Sequence, residues 1–318
     1  MPTATAVAHP NIALCKYWGK RDRALNLPAT PSLSLTLAPY ATRTTVTWGA
    51  EADEARLNGR IADGKEARRI FANLDLLDPH RPPCVVTSAN NFPTAAGLAS
   101  SSSGFAALVL AANAASGASR TIEELAVLAR RGSGSATRSL FGGWAEWPMG
   151  ARADGADSHG VPLAPADHWD VRMLVAVLQA GPKGTSSTDG MVHTQETSPY
   201  YPVWTEQAPA DVVEARAAVL RRDIEALGAV MERSAMRMHA SMLAADPPLC
   251  YWRAGTLAAV DAVKALRASG TGAWYTMDAG PNVKVLCAAA DEEAVHAAIA
   301  AVSERVERLA PGGPARVE

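Results

Sequence analysis

The chain has 318 residues, of which 48% are apolar and 19% charged, and its net charge is −2. Such a length and balance describe a globular protein with room for two domains and exclude a disordered or fibrous chain. Near-neutrality gives no global reason to bind nucleic acid or an anionic membrane, so any anionic ligand must be held by a local cluster of cations.

The first 50 residues read as short strands and turns. SLSLTLAPYATRTTVTW at 32–48 alternates apolar and polar or β-branched residues around Pro39, which predicts two strands of a meander. GKEARRIFANLDLLD at 64–78 sets Ile70, Leu74 and Leu77 at helical spacing. CVVTSANN at 84–91 reads as a buried strand running into a serine-rich loop. FAALVLAANAASG at 105–117 reads as a helix apolar almost all round and ended by Gly117. TIEELAVLARRG at 121–132 predicts another helix, opened by a Thr121–Glu124 capping box and closed by Arg130, Arg131 and Gly132.

Further along, VRMLVAVL at 171–178 has the composition of a buried strand, and GPKGTSSTDGM at 181–191 of a polar loop. Residues 208–243 are helical and Ala/Arg-rich throughout. TLAAVDAVKALRASG at 256–270 predicts a helix, GAWYTMD and NVKVLCAA predict strands around AGPN, and DEEAVHAAIAAVSERV at 291–306 predicts a closing helix. This pattern predicts an α+β protein in two parts, 1–180 and 181–318. Cys15, Cys84, Cys250 and Cys287 are scattered, with no CxxC pair and no Cys/His ligand spacing, which fits a reduced, cytosolic protein without zinc or disulfides. No secretory leader is visible, and the longest apolar run, 105–112, is too short to span a bilayer.

Four segments carry candidate chemistry. PTAAGLASSSSG at 93–104 joins a strand to a buried helix. Gly97 allows close backbone approach, helix-start N–H groups are free to donate, and serine hydroxyls can cap the helix, bond phosphate or ligate Mg²⁺. The Walker lysine is absent, so on residues alone an anion-binding helix start and a plain capped helix both stand. NIALCKYWGKRD at 11–22 gathers Lys16, Lys20 and Arg21 around Tyr17 and Trp18, either a cationic site or a surface face with snorkelling stems. GSGSATRSLFGG at 132–143 combines small residues with Ser133, Ser135 and Arg138, the make-up of a phosphate clamp or of a glycine-rich turn. Asp278 in YTMDAGPN stands at a strand end, where it is either a turn former or a base.

Together these segments, with KGTSSTDGM and NLPATPSLSLTL, resemble the diphosphomevalonate decarboxylases, within the superfamily of galactokinase, homoserine kinase, mevalonate kinase and phosphomevalonate kinase. PxxxGLxSS alone marks the superfamily; KYWGKRD, GSGSxxRSLFGG and DAGPN are far more specific, and the matched blocks run from residue 11 to about 286. The resemblance implies a small-molecule-kinase-like fold, with a ribosomal-protein-S5-domain-2-like N-terminal half that binds ATP and a ferredoxin-like C-terminal half that completes the substrate site. It implies ATP- and Mg²⁺-dependent phosphorylation of the 3-hydroxyl of (R)-5-diphosphomevalonate, then loss of phosphate and CO₂ to give isopentenyl diphosphate.

By that resemblance Gly97, Leu98, Ala99, Ser100 and Ser101 bind ATP, with Ser100 or Ser101 meeting Mg²⁺. Tyr17, Lys20, Ser133, Ser135 and Arg138 line the substrate site, Ser186 and Ser187 close over it, and Asp278 lies beside the 3-hydroxyl as base, or as stabiliser of the carbocation-like centre. Asp278, Lys20 and Arg138 form the catalytic set, while Lys16 lies in the matched motif without an assigned role. The resemblance further implies a cytosolic homodimer that acts on a small molecule and engages neither nucleic acid nor membrane. Two departures are Ser102 and Ser103, where alanines are more common, and Thr137, where a cysteine is common. The alternatives are a 5-phosphomevalonate decarboxylase or a mevalonate 3-kinase-type phosphotransferase. A regulatory module without chemistry is a further class, but its signature, loss of Asp278 or Arg138, is absent.

Overall fold

A computed structural model describes residues 1–92, 100–178 and 184–318. Among these residues two large sheets organise the chain. The smaller runs in the order Arg316–Val317, Thr3–Ala8, Thr42–Trp48, Cys84–Asn90, Glu54–Leu57, Arg60–Ile61. The larger runs Val161–Ala164, Trp144–Trp147, Ser32–Ala38, Arg305–Pro311, Val171–Val177, Val283–Ala288, Ala273–Met277, and Asn11–Cys15 also pairs with Ser32–Ala38. The architecture is the expected mixture of helices and sheets.

The N-terminal helices are α1 (Gly64–Leu77), α2 (Ser100–Ser116), α3 (Ile122–Gly132) and the single turn α4 (Ala136–Ser139). Reciprocal capping boxes start α1, through Asp63 and Glu66, and α3, through Thr121 and Glu124 as predicted. The apolar girdle of α2 has a plain cause. The helix lies against the Thr3–Ala8 and Thr42–Trp48 strands on one side and against α1, α3 and α4 on the other, so most of its surface is buried. Ser100 to Ser103 form its first turn, and the inner pair is buried.

The C-terminal helices are α5 (Ser187–Thr197), α6 (Tyr201–Arg221), α7 (Ile224–Leu243), α8 (Ala254–Ala268) and α9 (Glu292–Ala300). Three expectations are revised. The strands Ser32–Ala38 and Thr42–Trp48 form no meander: the first is buried nearly throughout and enters the larger sheet, while the second alternates and enters the smaller. The helical stretch at 208–243 is two helices, broken where Arg222 takes a left-handed conformation (φ 57°) and Asp223 caps α7 by accepting from the Ala226 N–H. The closing segment ends as a helix at Ala300 and continues as the Arg305–Pro311 strand.

That last strand positions the site. It pairs with Val171–Val177 on one edge and meets Ser32–Ala38 on the other, at Ala310 opposite Ala38 and Pro311 opposite Leu37. One sheet therefore runs through both halves of the chain. The expected division at residue 180 lies outside the described residues; Val171–Val177, before it, pairs with Val283–Ala288 and Arg305–Pro311.

Candidate active site

The fully buried strand Ala273–Met277 delivers Asp278 to its exit, where the Gly280 N–H donates to the Asp278 carbonyl at 2.7 Å and turns the chain back. From the N-terminal half, Asn11–Cys15 ends just before Lys16. The Lys16 ammonium donates to Asp278 Oδ1 at 2.7 Å and to the Ala13 carbonyl at 2.8 Å. The Lys16 backbone N–H donates to Ser234 Oγ of α7 at 3.0 Å, which ties the backbone at Lys16 to that helix. On the other carboxylate oxygen, Oδ2, lies the Lys284 ammonium at 3.3 Å. Both lysine side chains are 1% exposed and that of Asp278 is 33% exposed, so the carboxylate is the member of the cluster that opens outward. Burial pulls the Lys16 ammonium below its usual range, and the charge of Asp278 opposes this.

Beside this cluster sits a third buried cation. Arg138, on α4, is 1% exposed, donates to Ser32 Oγ at 2.5 Å and to Asn11 Oδ1 at 3.3 Å from two nitrogens, and lies 5.7 Å from the Trp147 ring centre. Among the described residues no carboxylate lies within ion-pair distance of it; burial pulls its pKa down to about 10. A buried guanidinium served only by neutral oxygens and a ring is equipped to receive an anion. Tyr17 packs on the same Trp147, with ring centres 4.8 Å apart, and its buried hydroxyl has no partner among the described residues. Gly134 permits this approach, since a Cβ there would run into the Tyr17 ring and Trp147. Asn11 also donates to the Ser135 carbonyl at 3.0 Å and to Ser139 Oγ at 2.7 Å, which ties the GSGSATR turn to the strand that leads into Lys16.

A cavity of ≈ 520 Å³ lies between the smaller sheet and α1 and α2, lined among others by Thr44, Asn58, Arg69, Ser88, Ser100 and Ser101. Ser101 Oγ lies 3.2 Å from Ser133 Oγ, so the cavity's serine end adjoins the GSGSATR turn. Arg69 donates to the Gly132 carbonyl at 3.1 Å and lies 5.3 Å from the Phe105 ring centre. Lys20 is half-buried, and its pKa is lowered by burial, then by the charges of Arg69 and Arg23. Gly97, Leu98 and Ala99 lie outside the described residues.

Ser186 and Ser187 open α5: the Ser186 hydroxyl accepts from the Asp189 N–H at 3.1 Å, and Ser187 is the first helical residue. Along α5, Gln195 donates to the Lys20 carbonyl at 3.0 Å and accepts from the Lys20 N–H at 3.4 Å. The fold thus gathers Lys16, Asp278, Arg138 and Tyr17 on one side, Ser133 and Ser101 at a join, and Arg69 by the cavity. Sequence reasoning left Lys16 without a role and missed Lys284, Asn11 and Arg69. A lysine inside the apolar strand VKVLCA was the available signal for Lys284, because a buried ammonium requires a partner.

Comparison with known proteins gives a consistent likeness. The family model described as diphosphomevalonate decarboxylase-like N-terminal domain matches residues 8–160, and that described as mevalonate 5-diphosphate decarboxylase C-terminal domain matches 173–310. The diphosphomevalonate decarboxylase of Aspergillus fumigatus is 39% identical over 323 residues, which cover 94% of this chain and 80% of that one. Among solved structures, mevalonate diphosphate decarboxylase from Staphylococcus aureus is 36% identical with a TM-score of 0.94, covering 100% of this chain and 98% of the other. A structure described as MDDEF in complex with MVAPP, AMPPCP and magnesium is 40% identical with a TM-score of 0.93, covering 99% and 98%.

Proposed function

The chain belongs to the diphosphomevalonate decarboxylase family, and from that premise we propose that it converts (R)-5-diphosphomevalonate and ATP into isopentenyl diphosphate, ADP, phosphate and CO₂. The observation that carries this reading is the outward-facing Asp278 carboxylate gripped by the buried Lys16, with a buried Arg138 beside it that pairs with no carboxylate among the described residues.

The substrate's 3-hydroxyl is tertiary and crowded, so orientation matters as much as deprotonation. Holding reactants in line supplies roughly 7–11 kcal/mol, and a positioned general base about 10²–10⁴-fold in rate. Asp278 accepts the hydroxyl proton or aims the hydroxyl oxygen at the terminal phosphoryl group. Arg138, with Ser133, Ser135 and Tyr17 around it, binds the substrate carboxylate or diphosphate. Lys20 faces the transferring phosphoryl oxygens. When the 3-phosphate departs with its bonding electrons, the tertiary carbon becomes electron-poor. The bond to the carboxylate then breaks, its electron pair forms the alkene, and CO₂ leaves. The Asp278 charge stabilises the centre in between.

For the nucleotide, the ≈ 520 Å³ cavity falls within the range of about 300–1,000 Å³ that suits small ligands. Two hydroxyls at the start of α2 suit phosphate or metal, and Gly97, Leu98 and Ala99 complete the phosphate loop of this proposal. Ser100 or Ser101 would hold Mg²⁺, which neutralises phosphate charge when bound. Ser186 and Ser187 close over the substrate. In this reading residues 1–180 bind ATP and 181–318 complete the substrate site. The protein acts as a cytosolic homodimer, in keeping with the resemblance and its free cysteines, and binds neither nucleic acid nor membrane.

The test is a coupled assay of ADP and CO₂ with mevalonate, its 5-phosphate and its 5-diphosphate. Equal ADP and CO₂ from the diphosphate supports the reading. A preference for the monophosphate favours the sister decarboxylase, and ADP without CO₂ from all three would overturn decarboxylation.

A further inference from the structure

We infer that Lys284 is a positioning residue for the reaction: with Lys16 it clamps both oxygens of the Asp278 carboxylate and extends activity toward acidic pH. Lys284 sits opposite Thr276 in the antiparallel pair formed by Ala273–Met277 and Val283–Ala288, so the turn that carries Asp278 folds back over its own lysine. Its neighbours along the strand are apolar and buried. Removing an ammonium from water is costly unless a partner offsets it. The offsetting contacts are Asp278 Oδ2 at 3.3 Å and the Asn282 carbonyl at 3.4 Å. Since Lys16 serves Oδ1 at 2.7 Å, each carboxylate oxygen has its own ammonium and the group is held against rotation.

Among the described residues, the charged and titratable groups around Asp278 come from four elements. Lys16 follows the Asn11–Cys15 strand, Lys284 lies on Val283–Ala288, Arg138 on α4, and His239 on α7. Burial keeps His239 neutral, so it adds no charge near neutral pH. Two ammonium groups against one carboxylate leave a positive surplus, and nearby positive charge favours the ionised form of a carboxylate. Lys284 thereby keeps Asp278 able to accept the hydroxyl proton at lower pH than Lys16 alone would allow.

This inference rests on the assignment of Asp278 to the reacting hydroxyl. The experiment measures kcat/KM for (R)-5-diphosphomevalonate against pH in wild type, Lys284→Met and Lys284→Gln, with thermal unfolding in parallel. The expected result is an acid limb moved upward by about one pH unit in both variants, with the KM for ATP unchanged. Folded variants whose acid limb stays at the wild-type position would overturn the inference. Should neither variant fold, carbon-13 NMR of the aspartate carboxyls in wild-type protein decides. An Asp278 signal that titrates at or above the ordinary carboxylate range contradicts the clamp, and one that titrates below it supports it. Asp278→Asn separates the two levels: wild-type turnover in that variant sinks the reading of Asp278 itself, whereas an inactive Asp278→Asn beside an unmoved limb in Lys284→Met sinks only the role of Lys284.

Discussion

The Lys16 ammonium donates to the Asp278 carboxylate at 2.7 Å across a separation of 262 residues. One partner leaves the Asn11–Cys15 strand and the other leaves Ala273–Met277, strands of a single sheet that the Arg305–Pro311 strand makes continuous. The Asp278 carboxylate is thus held by a lysine from the far end of the chain, and this ion pair forms only when the sheet is assembled.

Replacing Lys16 by methionine keeps most of the side-chain volume and removes the short ion pair. Breaking a fully buried pair costs roughly 3–5 kcal/mol. The cost here is smaller, because Asp278 is partly exposed and keeps Lys284. Catalysis suffers more: kcat should fall by at least about 10²-fold. Urea unfolding and steady-state kinetics of Lys16→Met read the two effects separately.

For Arg138 the signs oppose. A buried guanidinium that pairs with no carboxylate among the described residues contributes little to stability, and Arg138→Met should leave unfolding free energy unchanged or raise it. Each lost hydrogen bond to an anion is worth about 1.5–3 kcal/mol, so KM for the phosphorylated mevalonate should rise by at least about tenfold. A stable variant with unchanged KM contradicts the anion-binding role.

His239 links the fold to pH. Burial first, and the charge of Lys16 second, lower its pKa from 6.5 to about 3. A base with a depressed folded-state pKa contributes stability above its unfolded value, and that stability is lost as pH falls from 6.5 toward 3. At pH near 5 the loss is about 2 kcal/mol. Urea unfolding at neutral pH and near pH 5 should differ by that much more in wild type than in His239→Gln.

Gly19, between Trp18 and Lys20, has φ +109°, and a Cβ there would collide with the Tyr201 hydroxyl, which donates to the Trp18 carbonyl at 3.3 Å. Gly19→Ala should cost about 1–3 kcal/mol through backbone strain and the displaced ring. The lysine-bearing segment shifts with it, so a lowered melting temperature should come with lowered turnover. A variant with wild-type melting temperature contradicts the packing argument.

Much of this was legible in the sequence where the signal is local. The capping box at Thr121, the apolar girdle of α2 and the strands around DAGPN follow from spacing and composition. The resemblance named Asp278 and Arg138, but residue spacing alone left each with a bland reading. What was not legible is long-range. Ser32–Ala38 and Thr42–Trp48 look like hairpin partners, yet they separate because one buries both faces and the other buries one. The helix predicted over 291–306 runs into the start of the Arg305–Pro311 strand, whose sheet partners lie far away in the chain. Two lysines of one motif, Lys16 and Lys20, are chemically alike in sequence; only the fold turns the first onto Asp278 and sets the second beside Arg69 and Arg23.

The central claim, that Asp278 acts on the substrate's reacting hydroxyl, is tested most directly by Asp278→Asn, a change that keeps the shape and removes the charge. ADP and CO₂ release are measured at saturating ATP and (R)-5-diphosphomevalonate, and binding of a non-hydrolysable ATP analogue is measured on the same preparation. The account predicts that both products fall by at least about 10²-fold while analogue affinity is retained. Wild-type release of ADP and CO₂ from this variant would contradict it.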